Sequence, residues 1–316
     1  MGFDLQDLRR GIAAHGPVVR VVIAAIRGSS PREVGAAMLV WDNGQSGTIG
    51  GGALEHEAAG AARAQLATGR MRQQTTRALG PDLGQCCGGS VTLWSEIYRA
   101  EDLDNLDDEV ILRALRADSD EPPLALRRKL ALARSQGQRP DPQLSDGWLL
   151  EPVHRPETPL WIWGAGHVGR ALVDVLAPMP DLDITWVDTG LERFPSDIPA
   201  TVTAVPAAEP AALVPHAPEN AQHLVLTYSH ALDLALCHAL LLRGFAFAGV
   251  IGSATKWARF RSRLRELGHW PDQIARLTCP MGDPALGKHP QMIAVGVAAE
   301  LLRLGATDEL KKDRRA

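Results

Sequence analysis

The chain has 316 residues, 45% hydrophobic and 22% charged, an ordinary composition for a globular protein and long enough for two domains of ~100–200 residues. Lys plus Arg is 33 and Asp plus Glu is 37, so the net charge is −4; that mild acidity argues against a general nucleic-acid binder. The first residues, MGFDLQDLRR, lack the basic-then-apolar order of a signal peptide and break the myristoylation pattern at Gln6, and apolar runs such as Val21–Ile26 and Ala239–Leu242 are too short to span a bilayer.

An N-terminal unit is expected over residues 1–99. Asp4–Gly16 reads as a helix capped by Asp4, with Leu5, Leu8 and Ile12 on one face and Gly16 ending it. Val18–Ile26 reads as a strand, and Ala36–Ile49 as a hairpin turning at Asn43–Gly44. The alanine-rich Ala53–Leu66 is helical, and strands near Gln73–Leu79 and over Ser90–Tyr98 close the unit. Residues 100–155 read as a connecting segment. Glu101–Glu109 is acidic, Val110–Arg134 holds one or two helical stretches, and Ser135–Gly147 is polar and rich in Pro and Gly.

From residue 156 to 316 strands and helices alternate. Strands are expected at Pro159–Trp163, Asp183–Asp188, Thr201–Val205, His223–Thr227 and Ala248–Gly252. Helices are expected near His167–Leu176, His230–Leu242, Ala254–Leu267 and Pro290–Leu304. Such alternation implies a parallel sheet covered on both faces. The expected class is therefore α/β: a C-terminal Rossmann-like parallel sheet joined to a smaller N-terminal α/β domain.

WIWGAGHVGR (Trp161–Arg170) sets Gly164-x-Gly166-x-x-Gly169 between a strand and a helix that opens at His167. Gly164 permits a tight turn, Gly166 lets backbone approach a phosphate, and Gly169 lets the helix lie close to the strand. Asp188 ends the next strand 19 residues past Gly169, close to the ~20-residue spacing of a ribose-binding carboxylate. Free N–H groups at the helix start favour an anion, though the spacing alone does not choose the ligand. A short-chain dehydrogenase needs Tyr-x-x-x-Lys, whereas Tyr98 is followed four residues later by Asp102 and Tyr228 by Leu232. A histidine base stays open. His230 and Asp233 sit just beyond a strand's carboxyl end, where Ser229 as a cap and Asp233 in the first turn are an equally good reading.

Further glycine-rich turns could hold anions. Ser253 can cap the helix that follows Gly249–Gly252, and Lys256 and Arg259 lie on one face of it. In the N-terminal unit, Gly50, Gly51 and Gly52 lead into a helix as a second nest of N–H groups. Glu55, His56 and Glu57 are consecutive, so they cannot all face one metal. The four cysteines (Cys86, Cys87, Cys237 and Cys279) form neither a disulfide framework nor a CxxC zinc pattern, so a reduced, cytoplasmic protein is expected. Adjacent Cys86 and Cys87 are poorly placed to bond each other, since neighbouring Cα atoms lie about 3.8 Å apart and disulfides want roughly 4.4–6.8 Å. Cys237 reads as core, and Cys279 as a buried loop thiol.

These stretches in order, GSSPREVGAAM (Gly28–Met38), GGGALE (Gly50–Glu55), CGG (Cys87–Gly89), GAGHVG, WVDTG, LTYSHALD, IGSATKWARF and CPMGDPALG, resemble the xanthine dehydrogenase accessory (XdhC/CoxI) family. The resemblance covers most of residues 17–304 apart from the connecting segment. It implies a chaperone that binds the molybdenum cofactor (molybdopterin) as cargo, guards its sulfido form and delivers it to apo-xanthine dehydrogenase, without a reaction of its own. A cofactor-sulfurating cysteine desulfurase and a second copy of the chain are further candidate partners; nucleic acid and membrane are not. An NAD(P)-dependent oxidoreductase is the alternative. The resemblance puts the cofactor phosphate on Gly164, Gly166, His167 and Gly169, with Asp188, His230, Ser253, Lys256, Gly51 and Gly52 as further contacts. Cys87, with Cys86, is a candidate to face the molybdenum or dithiolene end, because soft thiolates suit metal–sulfur chemistry; thiols that merely pack in the interior are the other reading. Family members often carry cysteine where this chain has Ala53, which throws weight on Cys86 and Cys87.

Overall fold

The computed structural model describes residues 2–80, 88–116 and 121–313. The chain divides into two compact units, Met1–Arg155 and Pro156–Ala316. Among the described residues no helix is long and apolar enough to cross a membrane.

The first unit begins with α1 (Leu5–His15), whose first turn is capped by Asp4 accepting from the Asp7 N–H at 2.8 Å. There follow β1 (Val18–Arg27), β2 (Ala37–Trp41), β3 (Gly44–Gly47), α2 (Gly52–Thr68), β4 (Arg72–Ala78) and β5 (Ser90–Tyr98). The five strands form one antiparallel sheet in the order β3-β2-β1-β5-β4. Successive side chains of a strand point to opposite faces, and β1 buries both. Val19, Val21 and Ile23 pack with Leu54, Ala58 and Ala62 of α2, while Val18 joins Leu5, Leu8 and Ile12 of α1.

Residues 100–155, read from sequence as a connecting segment, are built into this unit. They carry a 3-10 turn (Ala100–Asn105), β6 (Val110–Ala114), α3 (Leu124–Gln136), β7 (Gln143–Ser145) and β8 (Trp148–Pro152), the strands forming a small sheet in the order β6-β8-β7. Val22, Ala24 and Trp94 of the large sheet bury Leu149 of the small one. A buried charge network ties the two sheets. Arg20 grips Glu151 with both terminal nitrogens at 2.8 and 3.0 Å, and Arg113 joins Glu151 to Glu96, which Arg72 meets at 2.6 Å. Burial alone would raise the Glu151 pKa, but Arg20 and Arg113 outweigh it and hold the carboxyl below its ordinary value. Removing one member of such a network strands its partner at about 3–5 kcal/mol, so this segment is as much part of the unit as the strands it covers.

The second unit holds β9 (Thr158–Trp163), α4 (His167–Leu176), β10 (Leu182–Asp188), β11 (Val202–Pro206), β12 (Gln222–Val225), α5 (His230–Arg243), β13 (Phe247–Val250), α6 (Ala254–Glu266), α7 (Pro271–Ile274), β14 (Leu277–Thr278) and α8 (Pro290–Asp313). All six strands are parallel, in the order β11-β10-β9-β12-β13-β14. Counted within the unit this is 3-2-1-4-5-6, the dinucleotide-fold order, which reverses between β9 and β12. On β9, Leu160 and Ile162 pack with α4 and α8, while Trp161 and Trp163 pack with α5 and α6. Burial on both faces explains why these strands read as near-continuous apolar runs.

Candidate functional site

At a strand-order reversal, the loops leaving neighbouring strands diverge and leave a crevice at their carboxyl ends. Here the crevice lies between the loop after β9 and the loop after β12, so the Gly164–Gly169 turn stands at it. Gly164 has φ +125°, and a Cβ there would sit 2.5 Å from the Leu226 carbonyl oxygen on β12's exit loop. A Cβ on Gly169 would fall on the Gly164 carbonyl oxygen, so α4 packs against its own entry strand. Gly166 differs: its φ is −73°, and a Cβ there meets nothing within 4 Å. It is the N-cap of α4 and supplies no side-chain cap. The bond from the Arg170 N–H to the Gly166 carbonyl begins the helical ladder, so the N–H groups of the first turn, with exposed His167 at its head, are directed out of the helix.

The neighbouring helices are closed differently. Ser229 Oγ accepts from the Leu232 N–H at the head of α5, and Ser253 Oγ accepts from the Lys256 N–H at the head of α6. The predicted contact Ser253 therefore serves as a cap. His230, the first residue of α5, is exposed and stands edge-on to Phe260.

Two charged residues expected to meet a ligand are turned inward. Asp188 is 2% exposed. One of its oxygens accepts from the Ala165 N–H at 2.6 Å, and the other accepts from Thr189 and lies 3.5 Å from Arg193 Nε. The carboxylate that the spacing assigned to a ribose thus fastens the glycine turn from behind. Lys256 Nζ lies 2.6 Å from fully buried Asp233 and donates to the Ile251 carbonyl at 2.9 Å. Asp233 also accepts from the N–H and hydroxyl of Thr227. Lys256 therefore clamps the loops after β12 and β13 rather than reaching outward. Cys237 and Cys279 lie near this pair, and burial pushes their thiols up to about 12 and about 11.

In the first unit three predicted motifs gather at one end of the large sheet. A Cβ on Gly28 would lie 3.2 Å from the Gly89 Cα, and one on Gly50 would lie 2.6 Å from the Pro31 ring. Gly50, Gly51 and Gly52 all have positive φ, as the sharp entry into α2 requires. Their turn already holds a carboxylate. Glu55 Oε2 accepts from the Ile49 and Gly51 N–H groups, each at 3.1 Å, and from the Thr48 hydroxyl. Burial raises the Glu55 pKa, but these hydrogen bonds and one from Gln45 hold it below its ordinary value. The nest read at Gly51 and Gly52 is thus occupied at Gly51 by the chain's own side chain. A polar groove of roughly 390 Å³ lies beside this end, lined by Arg27, Gln74, Thr76, Thr92 and Asp146 among others. Cys86 and Cys87 lie outside the described residues. Among the described residues no three His, Cys, Asp or Glu side chains are placed to hold a metal ion.

Sequence reasoning missed Arg170, Arg193 and Tyr228. Arg170 donates to the carbonyls of Ala165 and Arg193, binding the glycine turn to the loop after β10, and the Arg193 guanidinium lies 4.6 Å over the Tyr228 ring. Tyr228 is 64% exposed. The one available signal for Tyr228 was its place on the loop that leaves β12, at the reversal.

Residues 160–301 match the XdhC Rossmann domain, and residues 12–77 match the XdhC and CoxI family. Among curated proteins of Escherichia coli (strain K12), the chain is 25% identical over 296 residues to the uncharacterized protein YqeB, covering 91% of this chain and 43% of that one. It is also 25% identical over 316 residues to the molybdenum cofactor insertion chaperone PaoD, covering 95% of this chain and 86% of PaoD. The chain therefore spans less than half of YqeB and most of PaoD. A crystal structure described as a xanthine dehydrogenase from Bacillus halodurans superposes with a TM-score of 0.69 at 20% identity, over 96% of each chain; at that identity the likeness concerns the fold. Because one match covers much of the first unit's sheet and another nearly all of the parallel sheet, in the order in which the motifs run, the chain belongs to the XdhC and CoxI family.

Proposed function

We propose that this protein is a molybdenum cofactor-binding chaperone that carries the cofactor as cargo and passes it to an apo-molybdoenzyme of the xanthine dehydrogenase type. The observation that carries the reading is the open head of α4 at the strand reversal. Serine closes α5 and α6, whereas Gly166 leaves the α4 amides to an incoming group. Such amides bind an anion, and the cofactor's pterin carries a phosphate. Asp188 argues against a dinucleotide in the same place, since it is 2% exposed and bonded to Ala165 and Thr189 of its own chain. The similarity to a named cofactor insertion chaperone over nearly the whole chain supports the same reading. In it Gly164 and Gly169 shape the cradle, Gly166 and His167 line it, and Lys256 and Asp188 hold its walls. A role for Cys86 and Cys87 at the molybdenum end remains part of the proposal.

The test is Gly166→Leu, a substitution the open space around Gly166 tolerates. The protein and the variant are purified from cells that make the cofactor, and bound molybdenum and oxidised pterin are measured. The wild type is expected to hold both and the variant to lose about tenfold or more in occupancy, as expected when backbone hydrogen bonds to a charged group are blocked. Undiminished loading and transfer by the folded variant would overturn the site. Tight NAD(H) binding without pterin uptake would favour an oxidoreductase instead.

A further inference from the structure

We infer that Tyr228, backed by Arg193, is the stacking platform for the planar ring system of the phosphate-bearing ligand; the inference rests on the cargo reading above and assigns that site a specificity residue. Tyr228 is an aromatic side chain 64% exposed on the loop that leaves β12, beside the strand reversal. Its backbone is rigidly held. On one side Thr227 is bound to buried Asp233 through both its N–H and its hydroxyl; on the other the Ser229 N–H donates to that same hydroxyl. The Arg193 guanidinium lies over the ring at 4.6 Å, so the ring is already engaged by a cation while the side chain stays 64% exposed.

The platform is also registered to the cradle. Asp188 accepts from the Ala165 N–H of the glycine turn and lies 3.5 Å from Arg193 Nε. Arg170, in the first turn of α4, donates to the carbonyls of both Ala165 and Arg193. The anion turn and the Arg193–Tyr228 stack are therefore joined by two independent links. A ligand whose phosphate rests on α4 presents its heterocycle to a surface held at fixed distance. A flat bicyclic ring with a phosphorylated side chain, such as a pterin, fits this arrangement; inorganic phosphate would use the cradle alone.

The experiment titrates wild type, Tyr228→Phe and Tyr228→Ala with a fluorescent pterin bearing a phosphorylated C6 side chain, and separately with inorganic phosphate. Thermal melts check folding, which the exposure of Tyr228 favours. Quenching of the bound pterin and near-wild-type affinity are expected for Tyr228→Phe. Tyr228→Ala should weaken pterin binding on the order of tenfold, the usual scale of ring-on-aromatic stacking, and leave phosphate binding unchanged. Equal pterin affinity in wild type and Tyr228→Ala would overturn the platform while leaving the cargo reading intact. Parallel loss of phosphate and pterin would also overturn it, because Tyr228 would then act only by holding the turn. Failure of the wild type to bind the pterin would overturn both.

Discussion

Adding one methyl group to each glycine of the cradle in turn should separate three roles that the GxGxxG pattern presents as one. At Gly164 alanine would keep a φ of +125° and place Cβ 2.5 Å from the Leu226 oxygen and 2.9 Å from its carbonyl carbon. Backbone strain of about 1–3 kcal/mol and overpacking of about 1–3 kcal/mol then give a loss of about 2–6 kcal/mol. At ~2–4 °C per kcal/mol for a domain of this size, the melting temperature falls by roughly 4–24 °C. Gly169→Ala has no unusual φ, but its Cβ would fall on the Gly164 carbonyl oxygen that the Trp186 indole N–H donates to, and it should lose at least about 1–3 kcal/mol. Gly166→Ala meets nothing and keeps an ordinary φ of −73°. Its gain of about 0.4–1 kcal/mol from restricting the unfolded chain is offset by alanine's poorer fit as the N-cap of α4, so stability should change by less than about 1 kcal/mol. Urea or thermal unfolding followed by tryptophan fluorescence reports this, since Trp161, Trp163 and Trp186 all lie in the core of this unit. Should Gly166→Ala lose as much as Gly164→Ala, the distinction between an open and a crowded glycine is refuted, and with it the use of Gly166→Leu as a probe of binding.

His223 is buried and accepts from the Trp163 indole N–H at 3.2 Å; burial lowers its pKa from 6.5 to about 4. Between those values the unfolded chain binds the extra proton, so stability is complete above pH 6.5 and falls by at most about 3 kcal/mol as the pH drops to 4. His223→Leu should flatten that slope in urea unfolding, and an unchanged slope would count against it. Asp233→Ala strands the Lys256 ammonium and should lose about 3–5 kcal/mol, much of which Asp233→Leu combined with Lys256→Met recovers; equal losses in the single and double variants, again from urea curves, would contradict this. Glu55→Gln sets an amide against the donors that Glu55 now accepts from and should lose about 1–3 kcal/mol at neutral pH. The wild type should lose stability from this carboxyl only as the pH falls below 4.5, because the folded carboxyl is held below that value; an effect confined to the alkaline side would exclude the assignment.

Much of the parallel unit is legible in the sequence because its signals are local. The helix expected at His167–Leu176 is α4 residue for residue, since a glycine turn fixes its start and one apolar face its length. The Asn43–Gly44 turn likewise places β2 and β3. What escapes is set by partners far along the chain. Val110–Ala114 and Trp148–Pro152 are five-residue strands, each with a charge in it, and read as linker. The charges make sense only when Arg113 finds Glu96 and Glu151, and Glu151 finds Arg20, 131 residues away. The two-residue β14 is too short to show any alternation. At the site, the spacing to Asp188 is local and its use is not: no window shows that its oxygens are taken. Lys256 reads as an outward basic residue because it lies in a first turn beside Arg259. Its stem instead lies against Gly252, where a Cβ would come within 2.6 Å of it, and its ammonium reaches Asp233.

That inward turn bears on what a carrier needs. A cation placed directly on the cargo's phosphate adds a charge-assisted hydrogen bond worth about 1.5–3 kcal/mol, or roughly ten- to more than a hundredfold in affinity. Affinity differences of this kind appear chiefly in the dissociation rate. For a protein proposed to hand its cargo on, such a contact would prolong exactly the step that must be completed. In this fold Lys256 is turned onto Asp233 and the Ile251 carbonyl, Arg170 onto the carbonyls of Ala165 and Arg193, and Asp188 onto the turn itself. The same charges that would trap a ligand instead fix the backbone amides that meet it. The proposed cradle is then pre-formed, with Lys256 turned inward and Arg170 and Arg193 held by backbone carbonyls, Asp188 and the Tyr228 ring, so that under the proposal the aromatic ring rather than a lysine would supply choice of ligand.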